Sequence, residues 1–124
     1  MRDIFKSEQA LEIIGYVRDE YHDELQFLWE RFDNAVFIRK DSNKWYAALL
    51  PLTKRKLGLD SDEAVEVLDL RARTDDIVSL VDGKRYFPGF HMNKKYWYTI
   101  CLDGSVPTDE IFRRIDASYE LSKK

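Results

Sequence analysis

The chain has 124 residues, a formal net charge of −3, and 44% hydrophobic against 35% charged content. That is enough to bury a core without metal or disulfide staples, and it excludes a disordered chain. A pI near 5.4 argues against a protein that coats nucleic acid indiscriminately. The single cysteine, Cys101, excludes an internal disulfide; set in an apolar run, it reads as a buried structural thiol of a reducing compartment. No apolar run approaches a membrane span and Met1-Arg2-Asp3 opens no signal-peptide core, so a cytoplasmic location without a membrane partner is expected.

Charge is arranged in blocks. Residues 1–33 carry nine acids against four bases, and 57–82 carry eight against two. Residues 34–56 instead hold six bases (Arg39, Lys40, Lys44, Lys54, Arg55, Lys56) against Asp41 alone, and 83–98 hold Lys84, Arg85, Lys94 and Lys95 with no acid. If the two basic blocks meet in space, the fold has a positive face on an acidic body.

In chain order, residues 7–21 read as a helix: Ser7 can cap it, Glu8 suits its first turn, and Leu11, Ile14, Val17 and Tyr21 recur at helical spacing. Leu25, Leu28, Trp29 and Phe32 repeat the pattern and predict a second short helix over 23–32, with Trp29 in the core. Residues 35–40 and 45–52 are strand-like runs around Asp41-Ser42-Asn43-Lys44, which is turn chemistry, so a β-hairpin is expected. Pro51, with no N–H to donate, belongs at a strand end or edge. Thr53-Lys54-Arg55-Lys56 leaves the sheet, Gly58, Asp60 and Ser61 form a loop, and Ala64 to Arg71 is a third strand with contacts on both faces. Thr74-Asp75-Asp76 opens a helix with Thr74 as cap, Ile77, Leu80 and Val81 inward, and Gly83 as its end. After a turn at Pro88-Gly89, Tyr96 to Leu102 alternates as a strand. Pro107-Thr108-Asp109-Glu110 opens a last helix with Ile111, Ile115 and Tyr119 on one face and Arg113 and Arg114 outside.

The expected fold is therefore α+β: a two-layer, mainly antiparallel sheet with helices on one face, in the order α-(α)-β-β-β-α-β-α. No internal repeat or linker divides it, so residues 1–124 are read as one domain.

Residues 86–97 (Tyr86-Phe87-Pro88-Gly89-Phe90-His91-Met92-Asn93-Lys94-Lys95-Tyr96-Trp97) concentrate the chemistry. Together with Lys44-Trp45-Tyr46-Ala47, residues 54–59, Leu102-Asp103-Gly104-Ser105-Val106-Pro107 and Asp116-Ala117-Ser118-Tyr119-Glu120-Leu121, they resemble the MmcQ/YjbR family from about residue 25 onward. Members often carry His where Tyr96 stands. The resemblance implies a small α/β fold similar to CyaY (frataxin-like) and to secretion chaperones. It also implies a proposed "double-wing" mode of DNA binding, and no settled enzymatic activity.

Read as chemistry, His91 is either a hydrogen-bonding or phosphate-contacting group beside Asn93 and Lys94, or a staple for the turn after Pro88-Gly89. The only other histidine is His22 and the motif holds no acid, so no metal or cofactor site is expected. No activated nucleophile or phosphate-cradling glycine loop is present, and no catalytic residue, enzymatic activity or small-molecule substrate is inferred. The expected function is DNA binding through Arg39, Lys40, Lys44, Trp45, Lys54, Arg55, Lys56, His91, Asn93, Lys94 and Lys95, with Trp45, Tyr46, Tyr96 or Trp97 stacking on bases where exposed. The alternative is a protein-interaction module using the sheet face or the acidic N-terminal helix. Exposed tryptophans beside lysines would mark the first, and a bare apolar patch the second.

Overall fold

A computed structural model of the protein describes residues 4–123. Helix α1 spans Glu8–Tyr21. Ser7 caps it, its hydroxyl oxygen accepting the Ala10 N–H at 3.2 Å. It stops where His22 turns left-handed (φ 59°) and donates its N–H to the Arg18 carbonyl. The buried stripe is Ala10, Ile13 and Val17, with Ile14 and Tyr21 at its borders. Leu11, expected inside, lies on the outer face and is 52% exposed.

The expected helix over 23–32 does not form. Asp23 is buried, accepting the Tyr46 hydroxyl at 2.6 Å and pairing with Lys40 at 3.1 Å. Three residues on, Gln26 exchanges both backbone hydrogen bonds with Val36. With its backbone spent on a strand edge, the segment runs extended. Leu25 and Phe27 reach the helix-side core, Trp29 reaches the opposite face, and Leu28 and Phe32 are left outside.

Five strands follow in spatial order β1-β2-β3-β5-β4, all neighbours antiparallel: β1 Ala35–Ile38, β2 Trp45–Thr53, β3 Ala64–Arg71, β4 Tyr86–Pro88 and β5 Trp97–Cys101. The β1–β2 hairpin closes on a turn in which Asn43 takes φ 61°, as an Asn can. Pro51 sits beyond the reach of β1, which ends opposite Leu49, so its missing N–H faces no partner on that side. Strand β4 went unpredicted. Three residues running into the Pro88-Gly89 turn carry too little period to announce themselves, yet they pair with β5 as the edge of the sheet.

Helix α2 is Thr74–Leu80 and α3 is Thr108–Leu121. Thr74 is the first residue of α2 rather than its cap. Gly83 (φ 73°) belongs to the following turn, where the Asp82 carboxylate accepts the N–H groups of Lys84, Arg85 and Tyr86. Helices α1 and α3 cover one face of the sheet over a core that includes Ile13, Phe37, Leu68, Leu70, Ile100 and Ile115, and Ile77 of α2 joins it. Ser118 ties α3 to the sheet: it donates to the Tyr46 carbonyl and accepts the Arg71 N–H.

The opposite face carries no helix. Val36, Ala48, Leu50, Leu52 and Val67 form a second apolar cluster there. Trp29, Phe90 and Met92 from the connecting segments, and Trp45 from the start of β2, pack against it.

Candidate functional site

Strand alternation decides what the open face displays. Register sets Ala48 beside Asp69, Asp69 beside Thr99, and Thr99 beside Phe87. Asp69 therefore sits in mid-sheet on this face and is wholly inaccessible to solvent. One of its oxygens accepts the Thr99 hydroxyl. The other, Oδ2, has no hydrogen-bond partner. Burial pushes its carboxyl up to about 8, against smaller opposing effects of Thr99 and the Lys94 charge. Nothing in the sequence reading singled out Asp69. The available signal was an acid in the middle of β3, flanked by Leu68 and Leu70.

The motif segment closes over this carboxyl. Gly89 presses against β5, and a Cβ there would meet the Cβ of Trp97 at 2.7 Å and its carbonyl oxygen at 2.8 Å, so only glycine lets the chain turn so close. The Phe90 N–H donates to the Thr99 oxygen at 2.9 Å. His91 takes the left-handed backbone (φ 61°). Its ring lies 4.1 Å from that of Phe90. The Asn93 carbonyl accepts the N–H groups of Tyr96 and Trp97, its side chain accepts the Lys95 N–H, and the Lys94 ammonium rests on the Gly89 carbonyl at 3.2 Å.

Between this segment and the 29–34 segment lies a groove of about 370 Å³. Val36, Ala48 and Leu50 make its floor, and Trp29 and Phe32 face His91 and Met92 across it, with Trp45 and Asn34 completing the lining. Trp29 and Trp45 meet edge to face, 5.7 Å between centroids at 84°, an arrangement that fixes both rings. Phe32 extends the apolar surface outward at 60% exposure.

The expected basic surface is divided. Lys54, Arg55 and Lys56 form a 3-10 turn at the far end of β2 from Lys44. Nine residues separate them, roughly 30 Å at strand rise. There Lys54 pairs with Glu63 and Asp103, Arg55 pairs with Asp60 and Asp62, and Lys56 stays exposed. At the hairpin end Arg39 is committed to Asp41 and the Tyr119 carbonyl and stacks on the Tyr119 ring. Lys40 is held by Asp23 and the His22 carbonyl. Lys44, Lys94 and Lys95 remain exposed at this end and, among the described residues, lack an acid partner. Of the aromatics considered for stacking on bases, Tyr46 and Trp97 are buried, Trp45 is half-buried against Trp29, and Tyr96 is 51% exposed.

Two further residues lie at opposite ends of β5, Arg71 beside Trp97 and Cys101 at its close. Arg71 donates Nε–H to the Trp45 carbonyl at 2.5 Å and lies 4.6 Å over the Trp97 ring; burial pulls its guanidinium below the ordinary arginine value. Cys101 is buried at the other end of β5, and desolvation, with Asp103 adding to it, pushes its thiol up to about 12. A thiol so placed is inert as a nucleophile. Among the described residues, no group of three or more His, Cys, Asp and Glu side chains converges as a metal site would require, and no helix is long and apolar enough to cross a membrane.

The pattern that defines the YjbR family matches residues 20–121. This chain is a YjbR-family protein. Uncharacterized protein YyaQ of Bacillus subtilis is 32% identical over 113 residues, covering 90% of this chain and 96% of that one. YjbR of Escherichia coli K12 is 48% identical over 33 residues, 27% of this chain and 28% of its own. A crystal structure from Pseudomonas syringae superposes with a TM-score of 0.87 at 34% identity, over 91% of this chain and 97% of that one. A Deinococcus radiodurans protein with a DUF419 domain (TM-score 0.68, 22% identity, 90% and 76% covered) shares the fold. In this YjbR-family chain, the hydrogen-bonded loop between β4 and β5 closes over Asp69 and walls the groove.

Proposed function

We propose that this YjbR-family protein is a non-enzymatic binding domain whose open sheet face takes apolar side chains of a partner protein in the Trp29–Trp45–Met92 groove. The observation that carries this reading is the groove itself. It is an apolar concavity between two loop walls, edged by exposed Phe32, on the sheet face that carries no helix among the described residues. Bare apolar surface of this kind marks interaction sites. Lys44, Lys94 and Lys95 at the same end of the sheet favour a partner that brings acidic residues beside its apolar ones.

A second reading, DNA binding, draws on the same three lysines, which form no ion pair among the described residues. It draws less on the remaining bases, since Arg39, Lys40, Lys54 and Arg55 already answer to acids.

One experiment separates the two. Displayed random peptides are selected on the immobilised protein, and the recovered sequences, alongside labelled single- and double-stranded DNA, are titrated by fluorescence anisotropy across a salt series. The first reading expects recovered peptides rich in aromatic and aliphatic residues whose binding is lost in Trp45→Ala. It fails if selection returns nothing dependent on Trp45. DNA affinity that falls steeply with salt and is lost in Lys94→Ala/Lys95→Ala would establish the second reading in its place.

A further inference from the structure

Two carboxyl side chains among the described residues are buried, Asp23 and Asp69. Asp23 is answered by Tyr46 and Lys40. Asp69 is not, since its Oδ2 faces no donor. Leaving a buried carboxyl oxygen unsatisfied is costly, and the surroundings of this one are specific. From β5, Thr99 offers its hydroxyl to Oδ1, and Cys101, two residues along the same face, is turned toward Asp103. From β3, Arg71 is two residues away but committed to the Trp45 carbonyl and the Trp97 ring. From β2 the neighbour is Ala48, which does not titrate. From the covering loop come His91, at the groove wall, and Lys94, the cation whose charge acts on Asp69.

The same loop is fastened to the carboxyl. Phe90 N–H to Thr99 oxygen to Asp69 is a continuous chain. The Gly89 carbonyl that receives the Lys94 ammonium also receives the Met92 N–H, so the ammonium can leave without orphaning it.

We propose that Asp69 and Lys94 form a proton-operated latch for the groove. With the proton on Asp69, Lys94 rests on the Gly89 carbonyl and the His91–Met92 wall stands as described. When the proton leaves to solvent, the new carboxylate draws the ammonium from Gly89 to Oδ2, and the Gly89–Asn93 turn carries His91 and Met92 with it. Burial places the titration within reach of ordinary pH. As regulation of partner binding this rests on the groove reading above; the movement itself does not.

The test uses the ligand-free chain in a His91→Gln background, so that the wall carries no imidazole. Backbone amide and Trp45 indole signals and the Asp69 side-chain carboxyl carbon are followed by NMR from about pH 6 to about pH 9. The expected result is one shared midpoint for the carboxyl, the amides of Phe90 to Lys95 and the Trp45 indole. In Asp69→Asn the loop and indole titration disappears. In Lys94→Met, an exposed change that leaves the core intact, the Asp69 midpoint rises by about one pH unit and residues 91 and 92 cease to follow it. Loop signals that titrate unchanged in either variant, or an Asp69 carboxyl that does not titrate in this range, overturn the latch. No partner is added, so failure here leaves the groove reading standing, and failure to find a partner leaves the latch standing.

Discussion

Replacing Asp69 by Asn should change how the stability of this protein depends on pH more than it changes the stability itself. An aspartate in the unfolded chain titrates near 3.9, while burial holds the folded carboxyl up at about 8. Between those values the native state keeps a proton that the unfolded chain has released, so the stability contributed by this group is full below about pH 4 and is lost as pH rises toward 8. The slope is about 1.4 kcal/mol per pH unit, so from pH 5 to pH 7 the group costs about 2.7 kcal/mol. Carboxylates held below their ordinary range, such as Asp41, Asp82 and Asp103, have the opposite sign, but they act at lower pH and are common to both proteins. Asparagine is nearly isosteric and its carbonyl can still accept the Thr99 hydroxyl, while its unpartnered amide adds a penalty of about 1–3 kcal/mol that does not vary with pH. Urea unfolding at pH 5, 6 and 7 and constant ionic strength gives the comparison. Between pH 5 and pH 7 the wild type should lose about 2–3 kcal/mol more than Asp69→Asn does. Equal losses in the two proteins would refute the claim that Asp69 is buried as a neutral acid.

Gly89→Ala should destabilise by about 1–3 kcal/mol, since its methyl must displace the backbone of Trp97; thermal unfolding checks this, and an unchanged Tm would mean the loop does not pack on β5 so closely. Ser118→Ala removes one hydroxyl that serves both the Tyr46 carbonyl and the Arg71 N–H, and should cost about 2–4 kcal/mol in chemical denaturation. Cys101 should resist a thiol reagent at about pH 8 in the folded protein and react promptly once urea is added, with rapid labelling of the native state counting against its burial.

The sequence by itself determined the elements that carry their own signal: α1 from the Ser7 cap, the hairpin from Asp41-Ser42-Asn43-Lys44, and α3 from Ile111, Ile115 and Tyr119. The motif also sufficed to name the family. Each of these rests on interactions within a few residues of chain, which periodicity, turn chemistry and motif spacing record directly. The segment 23–32 shows where that ends. Its apolar spacing fits a helix, but Asp23 and Gln26 are claimed by Tyr46 and Val36, partners 23 and 10 residues away, and tertiary pairing overrode local period. The surface chemistry fails for the same reason. Arg39, Lys40, Lys54 and Arg55 form a basic cluster in sequence, but each meets its acid in the folded protein, while Asp69 reads as one acid among many until β2, β5 and the loop after Gly89 enclose it. Burial and charge pairing are properties of neighbours in space, so only the tertiary structure decided that Asp69, Thr99, Lys94 and the Trp29–Trp45 groove belong to one face.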